Sequence, residues 1–151
     1  MKRVDSLCYI IKEGRILLGM KKRGFGVGLW NGFGGKADAG ETIFETAVRE
    51  LREESGVDAM DLEKRGIISF SFEDGKEIEV HVFVASNFSG EPCETDEMKP
   101  QWFDISDLPF DKMWASDLYW LPLLLSGDTF RGQAVFSDDN KLVSYNFEKI
   151  K

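Results

Sequence analysis

Residues 35–57 read GKADAGETIFETAVRELREESGV, and their spacing decides the fold and the chemistry expected of this chain. Gly35, Glu41, Arg49, Glu50, Leu51, Glu53, Glu54, Gly56 and Val57 form the pattern G-x5-E-x7-R-E-L-x-E-E-x-G-V. At ordinary residue frequencies such a pattern meets by chance with odds on the order of 10⁻⁸, so it has a cause. Thr42 followed by Glu45 is a capping box, which predicts a helix starting near Ile43. Gly56 supplies the left-handed residue that commonly ends a helix, so the helix is predicted to run to about Ser55. Phe44, Ala47, Val48 and Leu51 fall on one stripe, the expected core face.

Glu50, Glu53 and Glu54 are three and four residues apart and crowd one flank of that helix. At roughly 6 Å and an effective dielectric of about 20, each pair of charges costs about 3 kcal/mol. Arg49, one turn before Glu53, offsets only part of this. A hard divalent cation is the natural partner, and Mg²⁺ typically couples a few carboxylates to substrate phosphates. Gly32, Gly34 and Gly35 allow close backbone approach just before the helix, whose N-terminus adds positive potential to that of Lys36. A solvated acidic face after a glycine turn would explain a few glutamates, but not the full spacing.

The segment is a complete match to the Nudix box, and on it the chain resembles the Nudix hydrolases, which act on a nucleoside diphosphate linked to another group. The resemblance implies an α/β fold of the α+β kind: an α/β/α sandwich with a mixed β-sheet, formed by one domain over residues 1–151. It implies dependence on Mg²⁺, with Mn²⁺ able to substitute, and displacement by water at phosphorus. Glu50, Glu53 and Glu54 would carry the metal and activate water, Gly34 and Glu97 would complete the metal site, and Arg49 would orient a glutamate. Which glutamate is the base differs among family members and stays open here.

The resemblance reaches beyond the box. GMKKRGFGVGLWNGFGGK at residues 19–36 is similar to the MutT-like oxidised-purine nucleoside triphosphatases of the family. So are His81-Val82-Phe83, Asp96-Glu97-Met98, Trp102-Phe103, Leu108-Pro109-Phe110 and Tyr119-Trp120. The implied substrates are oxidised purine nucleoside triphosphates such as 8-oxo-dGTP or 2-hydroxy-dATP, cut to the monophosphate and pyrophosphate. The implied substrate-binding residues are Ser6, Lys21, Phe25, Asn31, Phe70, Trp114, Ser116 and Asp117, with Trp114 stacking on the base. Such stacking is typically worth about 1–3 kcal/mol.

Asn31 offers a donor and an acceptor, and Asp117 accepts or, if protonated, donates. In the similar enzymes an acidic residue stands where this chain has Ser116. Two adjacent acids can share a proton and present alternative hydrogen-bond patterns. Ser116 cannot reproduce that pair, which puts dual recognition of the two oxidised bases in question. The bland reading is that Ser116-Asp117 caps the following helix. Other substrates remain open, including normal dNTPs, nucleotide sugars, capped RNA and ADP-ribose, although no proline lies between the box and Pro92 as the ADP-ribose group usually has. A non-hydrolysing domain that binds a nucleotide or RNA is the reading from another class, but such domains tend to lose box glutamates and none is missing here.

With 151 residues and 42% hydrophobic content, the chain suffices for one sizeable core. A net charge of −8 predicts no nucleic-acid polymer and no anionic membrane as partner. Cys8 and Cys93 are too few for a disulfide scaffold, and no stretch reads as a membrane span or a cleavable leader. A soluble, cytoplasmic monomer is expected, with a nucleoside triphosphate as its partner. Strands are predicted near residues 4–11 and 15–19, around Glu13-Gly14, and at 65–72 and 77–85, joined at Asp74-Gly75. A strand near 98–103 follows the turn at Ser89-Gly90. Residues 105–108 read as a short helical turn and 116–124 as a second helix, with Pro122 kinking or ending it. A last hairpin, 129–136 and 141–147, turns at Asp139-Asn140. His81 reads as structural, and Lys21-Lys22-Arg23 as a solvated edge.

Overall fold

The structure is a computed structural model that describes residues 2–150. Its strands are β1 (Lys2–Lys12), β2 (Arg15–Lys21), β3 (Trp30–Asn31), β4 (Asp58–Ala59), β5 (Glu63–Phe72), β6 (Glu77–Ala85), β7 (Phe88–Ser89), β8 (Met98–Asp104), β9 (Thr129–Phe136) and β10 (Leu142–Ile150). The helices are α1 (Ile43–Ser55) and α2 (Asp117–Leu125), and a 3₁₀ turn covers Phe110–Lys112. The main sheet runs β10-β9-β5-β6-β1-β2-β3, with β8 also paired to β2, while β4 and β7 form a small separate ladder. The β1–β6 and β5–β9 pairs are parallel and the other pairs antiparallel, so the sheet is mixed as expected.

Strand alternation builds two cores. Cys8, Ile10, Leu17 and Phe83 point to one face and pack with Ala47 and Leu51 of α1. Tyr9, Ile16, Leu18, Val82 and Ile68 point to the other, against Trp120, Leu121 and Leu124 of α2. A helix on each face makes the α/β/α sandwich.

The ends of α1 follow its sequence code. Thr42 Oγ1 accepts from the Glu45 N–H at 3.1 Å, and Glu45 Oε1 accepts from the Thr42 N–H at 2.9 Å. Gly56 takes φ 79° and its N–H closes on the Arg52 carbonyl. The core face is rotated from the expected stripe, however. Phe44 is exposed and Val48 half-buried, while Thr46, Ala47, Leu51, Glu54 and Ser55 are buried. Buried Thr46 and Glu54 are tolerated because each has a partner: Thr46 Oγ1 donates to Glu41 at 2.7 Å, and Glu54 accepts from the Gly34 N–H at 2.9 Å. Phe44 instead lies edge-on to Phe83, with ring centroids 6.1 Å apart.

Three further expectations are corrected. Residues 105–108 form a non-helical turn in which Asp104 Oδ1 accepts from the Ser106 N–H at 2.9 Å; the helical turn comes after Pro109. Pro122 neither ends α2 nor stops its last turn, for the Ser126 N–H reaches the Pro122 carbonyl at 3.0 Å. The donor that Pro122 lacks would have met Leu118, whose residue is 49% exposed and open to water. Ser116 precedes α2 but makes no side-chain cap. The short strands β3, β4 and β7 carry no periodicity long enough to read from sequence. Cys8 and Cys93 are free thiols, as expected.

Replacing Thr42 by Ala removes one half of the capping box. The expected loss is about 1 kcal/mol, seen as a fall in the thermal midpoint of about 2–4 °C; an unchanged midpoint would show that α1 is held by packing alone.

Candidate active site

The stretch between β3 and α1 is drawn onto β1 by backbone bonds. The Ser6 N–H donates to the Gly35 carbonyl at 2.9 Å, the Phe33 N–H to the Cys8 carbonyl at 2.9 Å, and the Ala37 N–H to the Val4 carbonyl at 3.1 Å. The approach leaves no room for side chains. A Cβ on Gly34 would lie 1.8 Å from the Ser6 carbonyl oxygen, and one on Gly35 would lie 2.8 Å from Glu50 Cδ. Gly34 therefore seats the loop directly on β1, and Gly35 seats it against Glu50 of α1.

The carboxylates meet there. Glu54, 5% exposed, accepts from the Gly34 N–H at 2.9 Å. Burial pushes its carboxyl up to about 8, against the pull of that N–H, and the nearby charge of Glu50 adds to the rise. Burial also raises Glu50, opposed by Arg49. Arg49 is the hub: Nε donates to Glu41 Oε2 at 2.7 Å, and Nη1 reaches Glu50 Oε1 at 2.8 Å and Glu53 Oε1 at 3.1 Å. Its hydrogen bonds hold Glu41 down at about 2. Glu97 is near enough for its charge to raise Glu54, but its Oε1 accepts from Arg23 Nη2 at 2.6 Å, which lowers Glu97 in turn. In this arrangement no group of three acidic, thiol or imidazole side chains among the described residues is placed to hold a cation, and Arg49 bridges Glu50 and Glu53.

Beside the carboxylates opens a cavity of about 270 Å³. Of the residues expected to bind substrate, Ser6, Lys21, Phe25, Asn31, Phe70, Trp114 and Asp117 line it, together with Gly34 and Glu54. Ser116 does not; it is fully buried, with its hydroxyl unpaired within the protein. Glu50, Glu53, Arg49 and Glu97 also lie outside the lining. Tyr9 Oη donates to Asn31 Oδ1 at 3.1 Å, and the Gly32 N–H donates to the same oxygen at 2.8 Å. The Asn31 amide is thereby oriented with its NH₂ group left to donate elsewhere. Trp120 Nε1 donates to Asp117 Oδ1 at 3.0 Å, leaving the other oxygen, Oδ2, buried and without a hydrogen-bond partner among the described residues. Burial pushes the Asp117 carboxyl up to about 7, and the indole bond offsets part of the rise.

Aromatic rings wall the cavity. Phe25 lies 5.0 Å from Trp114 between centroids and 5.9 Å from Phe72, while Phe136 lies 5.5 Å from Trp114 and 5.7 Å from Phe72. Phe72 and Phe136 were missed from sequence. The signal for Phe72 was its two-residue offset from Phe70 on one strand, which gives both the same face. Phe136 sits opposite Phe72 in the β5–β9 register, which no local pattern announces. Tyr9, which orients Asn31 from 22 positions away, is hidden for the same reason, whereas Trp120, three residues from Asp117 on α2, reads in sequence as a core aromatic. His81 is structural in its placement: Nε2 lies 2.7 Å from Glu79 Oε2, away from the cavity lining. A broader depression over β5, β9 and β10, lined by Arg65, Arg131, Gln133 and Asn146, has neither stacking walls nor glutamates of α1.

Comparison with known proteins agrees with this geometry. The chain is 49% identical over 147 residues to an oxidized purine nucleoside triphosphate hydrolase of Danio rerio, covering 97% of this chain and 94% of that protein. It is 47% identical over 149 residues to the protein of the same name from Mus musculus, covering 98% and 96%. The crystal structure of a MutT protein from Bacillus halodurans superposes with a TM-score of 0.87 at 30% identity, covering 97% of each chain. The NUDIX domain model matches residues 1–124, so with the box glutamates gathered on α1 beside a walled cavity, the chain belongs to the Nudix family.

Proposed function

We propose that this protein is a Mg²⁺-dependent pyrophosphohydrolase of oxidised purine nucleoside triphosphates, yielding the monophosphate and pyrophosphate. The observation that carries the reading is the junction at Gly34: the aromatic cavity and the carboxylates of α1 share that residue and Glu54. A base held in the cavity directs its phosphates to the glutamates. The activity for which the fish and mouse relatives are named, at 49% and 47% identity over nearly the whole chain, supports the same substrate class.

The donor set fits a hard divalent cation. It is all oxygen, and Glu54 and Glu50 are raised by burial, so a nearby positive charge would relieve them. Nudix hydrolases generally use a divalent metal; here Glu50, Glu53, Glu54 and the Gly34 carbonyl would hold Mg²⁺, with Mn²⁺ able to substitute and Glu97 contributing from outside the helix. When bound, it would neutralise phosphate charge and make an attacking water more acidic. Arg49 keeps Glu50 and Glu53 together on one flank, and Lys21 brings positive charge to the phosphate path. Asn31 donates to the base from its free amide. Trp114 supplies the stacking face.

Asp117 selects among bases through the oxygen that Trp120 leaves free. Ionised, that oxygen accepts from N–H groups such as those of a guanine-type edge; protonated, it donates. Ser116 carries no charge and leaves Asp117 as the lone acid of the pair, and with its carboxyl raised to about 7 the cavity shifts from the donating to the accepting pattern as pH rises through neutrality.

The deciding experiment compares kcat/KM with Mg²⁺ for 8-oxo-dGTP, 2-hydroxy-dATP, dGTP, dATP and ADP-ribose. A preference of tenfold or more for one oxidised nucleotide, about 1.4 kcal/mol in transition-state binding, is expected. Equal turnover of normal nucleotides sinks the substrate assignment and leaves the hydrolase standing. Glu53→Gln should lower kcat by about 10²–10⁴-fold with an unaltered circular-dichroism spectrum, and near-native turnover would remove Glu53 from the site.

Asp117 also makes stability depend on pH. Its folded-state carboxyl, at about 7, holds a proton more tightly than in the unfolded chain. Its contribution is therefore fully present below about pH 4 and is lost as pH rises through about 7. Asp117→Asn keeps an acceptor for Trp120 but cannot ionise. Its thermal midpoint relative to the parent should rise from pH 5 to pH 8, and a pH-independent difference would refute the buried charge.

A further inference from the structure

The cavity wall that carries Phe25 is tied to a distant part of the chain. Phe25 belongs to the loop between β2 and β3, closed at its base by the Gly28 N–H to the Lys21 carbonyl at 2.8 Å and the Lys21 N–H to the Leu29 carbonyl at 3.1 Å. Beyond the last β2–β8 pair, Lys21 with Met98, the ladder gains one more bond, from the Lys22 N–H to the Glu97 carbonyl at 2.9 Å. Side chains then clasp the same segment. Lys22 Nζ reaches Glu94 Oε2 at 2.6 Å and the Thr95 carbonyl at 2.9 Å, and Arg23 Nε and Nη2 both reach Glu97 Oε1, at 3.0 and 2.6 Å. Only Gly24, at φ +82°, separates Arg23 from Phe25. Arg23 is thus the last anchored residue before the ring.

Past the clasp the loop keeps two turn bonds of its own, from the Val27 N–H to the Gly24 carbonyl at 3.2 Å and from the Leu29 N–H to the Gly26 carbonyl at 3.1 Å, which shape the loop without tying it to the cavity wall. Phe25 is 53% exposed and its ring packs at the cavity mouth against Trp114, Phe72 and Lys76, whose Nζ lies 5.3 Å from the ring centroid. Arg23 does not line the cavity. From this geometry we infer that Arg23 is a positioning residue which, through Glu97, sets Phe25 as the wall of the base cavity. The inference rests on the base-cavity reading above and deepens it. The same carboxylate thus serves the phosphate end and steadies the base end.

An uncharged ligand separates this role from a direct contact with phosphate. The nucleoside of whichever triphosphate the wild type hydrolyses best is titrated without divalent metal, followed by tryptophan fluorescence. Because the tie is an exposed ion pair, Arg23→Ala should weaken nucleoside binding about two- to fivefold. Arg23→Lys should fall between, and Arg23→Ala should cost nothing further in a Phe25→Ala background, as coupled residues require. Amide hydrogen exchange of the ligand-free protein over residues 24–29 should quicken in Arg23→Ala. Unchanged nucleoside affinity overturns the inference even if triphosphate binding weakens, since that result assigns Arg23 to the phosphates. If the wild type turns over no purine triphosphate, the functional reading falls, and the exchange measurement alone decides whether Arg23 holds the loop.

Discussion

The contact of Gly34 with β1 is the constraint on which the site depends. With a side chain there, the loop could not lie on the Ser6 carbonyl, and its N–H could not reach Glu54. That single N–H supplies the partner that lets a carboxylate remain 5% exposed on the core side of α1. It also sets the distance between the two halves of the site, because the cavity lining continues through Gly32, Gly34 and Gly35. A helix laid on a sheet in the ordinary way would have buried an apolar residue where Glu54 stands.

Arg49 performs the complementary task on the solvent side of the same helix. Its guanidinium accommodates Glu41, Glu50 and Glu53 at once, which suits its several donors in a planar fork. The repulsion between Glu50 and Glu53 is thereby partly answered within the protein, while Glu54 stays raised beside Glu50. The acids can stay clustered on one flank of α1 before any ligand arrives.

Local codes were legible and tertiary ones were not. The limits of α1 follow from Thr42, Glu45 and Gly56 because capping is decided within a few residues. Its buried face does not follow from Phe44 and Val48, since burial depended on partners contributed by Gly34 and Glu41. Seven of the eight substrate-binding residues named through family resemblance line the cavity together. What orients them was hidden: Tyr9 for Asn31 acts across 22 positions, and Arg23 finds Glu97 across 74. Such pairs leave no periodicity. Even the indole that holds Asp117, three residues along the same helix, reads in sequence as one more core aromatic.

The two cores also bear on how such a protein can change over time. The base cavity is framed mainly by residues of the α2 face, Phe70, Trp120 and their neighbours, whereas the carboxylates ride on α1, packed against the other face. A substitution that reshapes the cavity, as at Phe70 or Trp114, need not disturb the packing beneath the glutamates. Selectivity can drift while the hydrolytic apparatus is inherited intact. The sheet between them separates the two packings, and the halves of the site meet where Gly34 and Glu54 join the lining.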